Sequence, residues 1–199
     1  MTLSVSNVGY AYPSSGRGVS HINLRAKRGR LTALVGRTGC GKTTLLACIA
    51  GLLVPKSGTI TYEGSRLRSW QCASLFLEAP LFARLTVWEN VSLARGGPRR
   101  TGRAQTLPLL DYFQLTPLAD ALPGRLTQGE CRRVALAATL ALDRPVTLLD
   151  EPTRGLDEND RRIVIDQLTR HALRDGVTVI ATHDLELIEE CRGKVSIDP

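Results

Sequence analysis

Residues 36–43 read GRTGCGKT, a stretch rich in glycine that ends in a lysine and a hydroxyl. The pattern G-x-x-x-x-G-K-[ST], set between a strand and a helix, suits the cradling of a chain of phosphates. Gly36, Gly39 and Gly41 let backbone N–H groups curl around an anion with no Cβ in the way. The start of the following helix adds its positive dipole end. Lys42 reaches the outer phosphates, and the Thr43 hydroxyl can ligate Mg²⁺. Far along the chain, the apolar run VTLL ends in Asp150 and Glu151. Asp150 can reach the same metal, directly or through water, and Glu151 is placed to polarise an attacking water as general base. His183 ends a second such run, VTVIAT, where it can contact a terminal phosphate and help hold that water. Asp150 and Glu151 would also suit a cap on the next helix, and a lone histidine is often structural; their company with the glycine loop favours chemistry. In RLTQGECRRV, residues 125–134, Thr127 and Glu130 fit a capping box opening the helix VALAATLAL.

These groups need elements to hold them. LSVSNVGYAY and SHINLRAKRGR alternate with period two and predict half-buried strands. LTALVG predicts a buried strand feeding the glycine loop, and KTTLLACIAGLL a helix with Gly51 near its end. SGTITYEG returns to alternation. From about Glu78 to Leu142 the chain reads as mainly helical, broken by RGGPRRTGR at 95–103, a solvated loop or else a basic segment close to anionic lipid or an acidic partner. VTLLD then predicts a strand, 158–174 a helix, VTVIAT a strand and the residues from Asp184 another helix; the chain ends on KVSI. Strands alternating with helices predict a parallel sheet covered on both faces, an α/β fold.

Composition narrows the setting. At 199 residues the chain suits one domain, or one core with a small inserted subdomain. The net charge of +7 is carried mostly by arginine. The densest basic cluster, 95–103, has no interleaved aromatics on which bases could stack, so no nucleic-acid partner is expected. No run approaches the roughly 18 apolar residues of a membrane span, and the N-terminus lacks a signal-peptide pattern; a cytosolic chain is expected. The 5 cysteines are scattered without a C-x-x-C pair, which suggests neither a disulfide framework nor a zinc site. Reduced, mostly buried thiols are expected, with Cys40 in the glycine loop as the exposed exception.

Taken together, these residues resemble the nucleotide-binding subunit of an ABC transporter ATPase over essentially the whole chain. Tyr12 in YAYP matches the aromatic that stacks on adenine. The Walker A loop is Gly36, Arg37, Thr38, Gly39, Cys40, Gly41, Lys42, Thr43 and Thr44. LTVWENV resembles the segment after the Q-loop, and LTQGE stands where the family has its LSGGQ signature. VTLLDEPTRGLD joins the Walker B strand to a D-loop with Asp157 as its aspartate, and ATHD carries the switch histidine, His183. GECRRVALA with DEPTRGLD resembles the ATPases of energy-coupling-factor importers.

The resemblance implies a P-loop NTPase core with a mainly parallel sheet, an N-terminal antiparallel β subdomain and a short helical subdomain. It implies that residues 1–199 form a single ABC ATPase domain, with about 78–142 as the inserted helical part. It implies ATP and Mg²⁺ as cofactors, Lys42, Glu151 and His183 as catalytic residues, and Thr43, Asp150 and Glu78 as metal ligands. Thr127, Gln128, Gly129 and Glu130 would face the ATP of a second ABC ATPase subunit, identical or different, in a head-to-tail pair. Permease subunits supplied by other chains would hold the pair peripherally at the cytoplasmic face of the cell membrane. Their docking groove is expected around Glu78–Val91, with Leu81, Phe82 and Trp88.

The departures carry expectations too. Thr127 replaces a serine and keeps its hydroxyl; Gln128 replaces a glycine and must fit near the phosphate or turn away. Glu130 replaces a glutamine, and supports its own helix start or repels phosphate. Slightly weaker ATP-driven closure is expected. The Q-loop position is Glu78 or Leu77, and Glu78 places Pro80 and Leu81 where the family often has them. A poorly hydrolysing partner in an asymmetric pair, a soluble ABC ATPase of translation or repair, and a metabolite kinase are the competing readings.

Overall fold

The structure, a computed structural model, describes residues 1–77, 80–96, 99–173 and 176–197, with 99–101 described by backbone alone. The chain divides into two compact units, Met1–Phe76 with Arg144–Glu151 and Thr169–Pro199, and Leu77–Asp143 with Pro152–Leu168.

In the first unit, β1 (Thr2–Ala11) and β2 (Gly18–Lys27) pair antiparallel, with alternating burial along β2 as the period-two pattern requires. β4 (Ser57–Tyr62) and the two-residue β5 (Ser65–Arg66) complete an antiparallel sheet of order β2-β1-β4-β5. The other sheet is parallel. It comprises β3 (Arg30–Val35), β6 (Cys72–Leu75), β7 (Val146–Asp150), β8 (Val177–Ala181) and β9 (Gly193–Ser196), in the order β6-β7-β8-β3-β9. β7 and β8 are buried at every position, as strands covered on both faces are. Helix α1 (Lys42–Ile49) follows β3, and its Leu45, Leu46 and Ile49 share one core with Leu3, Val5 and Leu24 of the antiparallel sheet and Leu148 and Val179 of the parallel one. α6 (Leu185–Glu190) follows β8, capped by Asp184, whose Oδ1 accepts from the N–H groups of Glu186 and Leu187.

Three strands depart from the sequence reading, the two-residue β5 among them. Residues 72–75 carry no strand expectation, because CASL is short and small-sided; parallel pairing with β7, Cys72 opposite Val146, makes them β6. Gly193–Ser196, which takes in most of the terminal KVSI, likewise becomes β9 through pairing with β3.

The second unit holds α2 (Val87–Arg95), α3 (Arg99–Tyr112), α4 (Gln128–Ala141) and the greater part of α5 (Glu158–Ala172). Val87, Val91, Leu110, Phe113, Val134 and Leu136 are fully buried within it. The solvated-loop expectation for 95–103 is corrected here: from Arg99 onward the backbone is helical, and α3 runs on through Pro108. Arginine is a good helix former, which the breaker residues around it obscured. A buried Asn90 in α2 fixes the loop before it, donating through Nδ2 to the carbonyls of Leu85 (3.0 Å) and Thr86 (2.9 Å) and accepting the Phe82 N–H (2.8 Å).

Candidate functional site

The glycine loop sits where β3 hands over to α1. Gly39 and Gly41 have φ of 81° and 101°, the left-handed region that only glycine enters cheaply. A Cβ at Gly41 would overlap Val19 Cγ1. No side chain caps α1, and no acid stands in its first turn, so its leading N–H groups face the loop as an anion site does.

Lys42 is 7% exposed and folds back along the loop. Its Nζ donates to the carbonyls of Gly36 (2.8 Å) and Arg37 (3.2 Å) and lies 3.1 Å from His183 Nε2. The Thr43 hydroxyl donates to Asp150 Oδ2 at 2.8 Å, joining the start of α1 to the end of β7. Asp150 is 4% exposed and pairs in register with Ala181 of β8. Glu151 turns out of the strand with φ of 46°, a costly conformation for a non-glycine residue and one that collects at functional sites. Its N–H donates to Ala181 O at 2.8 Å; its carboxylate accepts from the Thr182 hydroxyl (3.3 Å) and the His183 N–H (3.4 Å). His183 Nε2 stands 3.7 Å from Glu151 Oε1. The imidazole thus bridges the loop lysine and the strand-end acid.

This convergence follows from topology. β7, β8 and β3 are adjacent and parallel, so their C-terminal ends share one edge of the sheet, where ligands of open α/β folds bind. Asp150, Glu151, Thr182, His183 and the loop all issue from that edge. The arrangement can neutralise phosphate charge, present a hydroxyl and a carboxylate to one cation, and hold a carboxylate ready to take a proton from water.

Tyr12 lies at the rim of a turn beyond β1, its ring edge-on to Tyr10 at 5.0 Å between centroids. A cavity of about 260 Å³ opens beside the glycine loop, lined by Tyr10, Val19, Ile22 and Cys40 among others. Tyr10 and Val19 escaped the sequence reading because strand alternation accounts for both. The exposed Cys40 is corrected: it is 5% exposed and belongs to the core, with Gly36 so close that a Cβ there would stand 2.8 Å from Sγ.

In the second unit, Thr127 and Glu130 form the capping box. Thr127 Oγ1 accepts the Glu130 N–H at 3.1 Å, and Glu130 Oε2 accepts the Thr127 N–H at 2.7 Å. The Glu130 carboxylate is thereby turned onto its own helix start. The same T-x-x-E signal opens α2, where Thr86 and Glu89 cap reciprocally; the sequence reading passed over it. Gln128 is exposed and lies against Gly155, away from the cap, in a cleft of about 410 Å³ shared with Leu77, Arg132 and Arg154. Gly129 is buried against Asp160, which pairs with Arg133 (Nε to Oδ1, 3.0 Å). Asp157 caps α5, accepting the Asp160 N–H at 2.8 Å. Leu77 is exposed and its carbonyl accepts from Arg132 at 3.1 Å. Glu78, the favoured metal-ligating residue of this stretch, lies outside the described residues. Phe82 is 61% exposed, while Leu81 and Trp88 are half-buried.

Comparison with known proteins adds the family. Residues 19–154 match the family described as ABC transporter. An uncharacterised ABC transporter ATP-binding protein of Mycobacterium tuberculosis is 35% identical over 99% of this chain and 65% of its own length. The sulfate/thiosulfate import ATP-binding protein CysA of Pseudomonas aeruginosa is 35% identical over 99% of this chain and 64% of its own. The chain thus spans a little under two thirds of these relatives. Among solved structures, CbiO1 of Clostridium perfringens, described as part of an ABC transporter complex, is 28% identical with a TM-score of 0.85, covering 98% of this chain and 84% of that one. A dimeric ATP-binding cassette in a post-hydrolysis state with ADP and Pi is 25% identical with a TM-score of 0.88, covering 98% and 94%. Fold, loop and sequence therefore agree, and the chain belongs to the ABC transporter family.

Proposed function

We propose that this chain binds and hydrolyses ATP and that its closure onto a second ABC ATPase subunit powers a separate transmembrane permease. The observation that carries the reading is the contact between Thr43 and Asp150 with Lys42, His183 and Glu151 around it. Thr43 Oγ1 and Asp150 Oδ2 lie 2.8 Å apart, close enough to share one Mg²⁺ whose other ligands are phosphate and water oxygens. Lys42 then neutralises the outer phosphates, Glu151 takes a proton from the attacking water, and His183 orients that water.

The capped start of α4 is the other half of such a site. Its N–H groups and the Thr127 hydroxyl would meet the γ-phosphate held by the partner's loop, so one chain carries two half-sites that close only in a two-fold pair. With Glu130 held in its own cap, the expected penalty on closure falls mainly to Gln128. About residues 78–142 act as the helical subdomain that receives the permease, through the exposed Phe82 and its neighbours. No described helix is long and apolar enough to cross a membrane. The chain would then sit peripherally, on the cytoplasmic face, through its permease.

The test is light scattering of the Glu151→Gln protein with and without ATP. The expected result is an ATP-dependent shift from monomer to dimer, with turnover lost. A variant that binds ATP and stays monomeric points to pairing with a different ATPase; unchanged turnover removes Glu151 from its role.

A further inference from the structure

The end of α1, the segment after it and the β4–β5 hairpin line a groove of about 610 Å³ in the first unit. Leu53, Val54, Ile60 and Leu67 give it an apolar wall, and Arg66 and Arg68 add charge. Gly51 approaches Ser69 closely, a Cβ on the glycine standing 3.2 Å from the serine Cβ, so Leu52 and Trp70 flank one contact. Three large apolar side chains of this region stand in solvent: Leu52 is 65%, Val54 76% and Trp70 66% exposed. Single exposed apolar residues are ordinary; several beside an apolar groove mark a contact surface.

The charge around them has one sign. Between residues 44 and 77 the cations are Lys56, Arg66 and Arg68, all exposed and without an ion pair among the described residues. The single acid of that stretch, Glu63, stands 3.8 Å from the Met1 amino group. A purely apolar partner would cover these cations without a counter-charge, and a purely acidic one would leave the tryptophan and aliphatic side chains wet. A lipid surface answers both demands. Its phosphates take guanidinium and ammonium groups, and the polar–apolar boundary beneath them suits an indole.

We propose that this patch binds an anionic lipid surface directly, with Lys56, Arg66 and Arg68 at the headgroups and Trp70, Leu52 and Val54 at the boundary beneath. The contact needs neither nucleotide turnover nor a permease, so it goes beyond the function proposed above and survives the failure of that reading.

The test is flotation of the full chain with protein-free vesicles of phosphatidylcholine alone, or of phosphatidylcholine mixed with phosphatidylglycerol. Each cation near an anionic surface strengthens partitioning roughly fivefold, so three should favour the mixed vesicles on the order of 10²-fold. High salt should release the chain, because headgroup attraction is screened. Arg66→Glu/Arg68→Glu is expected to lose at least about 25-fold, the share of two cations. Trp70→Gln should weaken binding severalfold. Arg25→Glu/Lys27→Glu makes the same charge change at exposed positions of β2 and should keep most of the binding.

Wild-type chain that floats with neither vesicle overturns the proposal and leaves the groove to a protein partner. Equal binding to both vesicles overturns it, as does an equal loss in the two double variants, which would make net charge the cause. Dimerisation without ATP that Trp70→Gln abolishes would give the patch to a second copy and overturns it too.

Discussion

Gly129 packs so tightly on Asp160 that a Cβ at the glycine would overlap Oδ2 and stand 2.9 Å from Cγ. Asp160 cannot simply swing aside, because its carboxylate is held by Arg133, whose Nη1 also donates to Phe113 O at 2.7 Å. The glycine of the signature stretch is therefore a packing requirement within the helical unit as well as a residue proposed to face nucleotide. Gly129→Ala is expected to cost about 1–3 kcal/mol by overpacking. For a chain of this size each kcal/mol lowers the midpoint by about 2–4 °C. Calorimetry without nucleotide checks it: an unchanged midpoint would assign the glycine to nucleotide alone.

The reciprocal cap separates Thr127 from Glu130. Thr127→Ala removes the oxygen that accepts the Glu130 N–H and is expected to cost about 1 kcal/mol. Glu130→Gln keeps a side-chain acceptor for the Thr127 N–H, and glutamine serves the same box, so its urea midpoint should stay close to wild type. If Glu130→Gln tightens ATP-driven dimerisation without altering stability, the carboxylate does repel phosphate despite its cap.

His183→Ala removes the imidazole between Lys42 and Glu151. Lys42 keeps its two loop carbonyls, so ATP binding should persist while kcat falls about 10²-fold, as for loss of a positioned acid–base partner. Equilibrium binding beside steady-state turnover tells the two apart, and a parallel loss of both would make His183 a structural prop of the loop.

Burial pushes the thiols of Cys48, Cys72 and Cys191 from an ordinary 9.0 up to about 11. The folded chain then keeps protons that the unfolded chain has released, so this stabilisation is complete below about pH 9 and is lost as pH rises toward about 11. Thermal midpoints should decline across that window, less steeply in Cys48→Ala. Iodoacetamide near neutral pH should leave these thiols unlabelled until the chain unfolds. Rapid labelling of the native protein would show them to be accessible.

Phe82 offers a surface test. Asn90 fixes the loop through the Phe82 N–H, so Phe82→Asp changes the side chain on a preserved backbone. The thermal midpoint should hold, and co-purification with a permease in detergent should fail. Retained co-purification would move the docking surface elsewhere.

The placement of the phosphate-loop and strand-end residues was more legible than the packing. The glycine loop, Asp150–Glu151, His183 and the Thr127–Glu130 cap could be read directly, since each is a local pattern with a local physical reason. What stayed hidden was non-local. β6 is a strand because β7 lies beside it, and nothing in CASL announces that neighbour. Cys40 is buried because α1 and both sheets share a core, although its loop is rich in glycine. Arg132, Arg133 and Asp160 read as surface charge on helices; only the fold reveals which carbonyls and carboxylates they meet. The helix from Arg99 was masked by breakers on either side.

β7 and β8 are buried on both faces along their length, so neither carries the alternation that penalises a strand for sliding past its neighbour. Their apolar side chains are similar enough that a shifted alignment would bury nearly as much. The polar ends do discriminate: in the observed register Asp150 pairs with Ala181, and Glu151 accepts from Thr182 and His183. The residues proposed for hydrolysis therefore also key the sheet into alignment. Replacing Glu151 with an apolar residue should cost more than turnover, because refolding chains would lose the marker that tells one strand where to stop along the other.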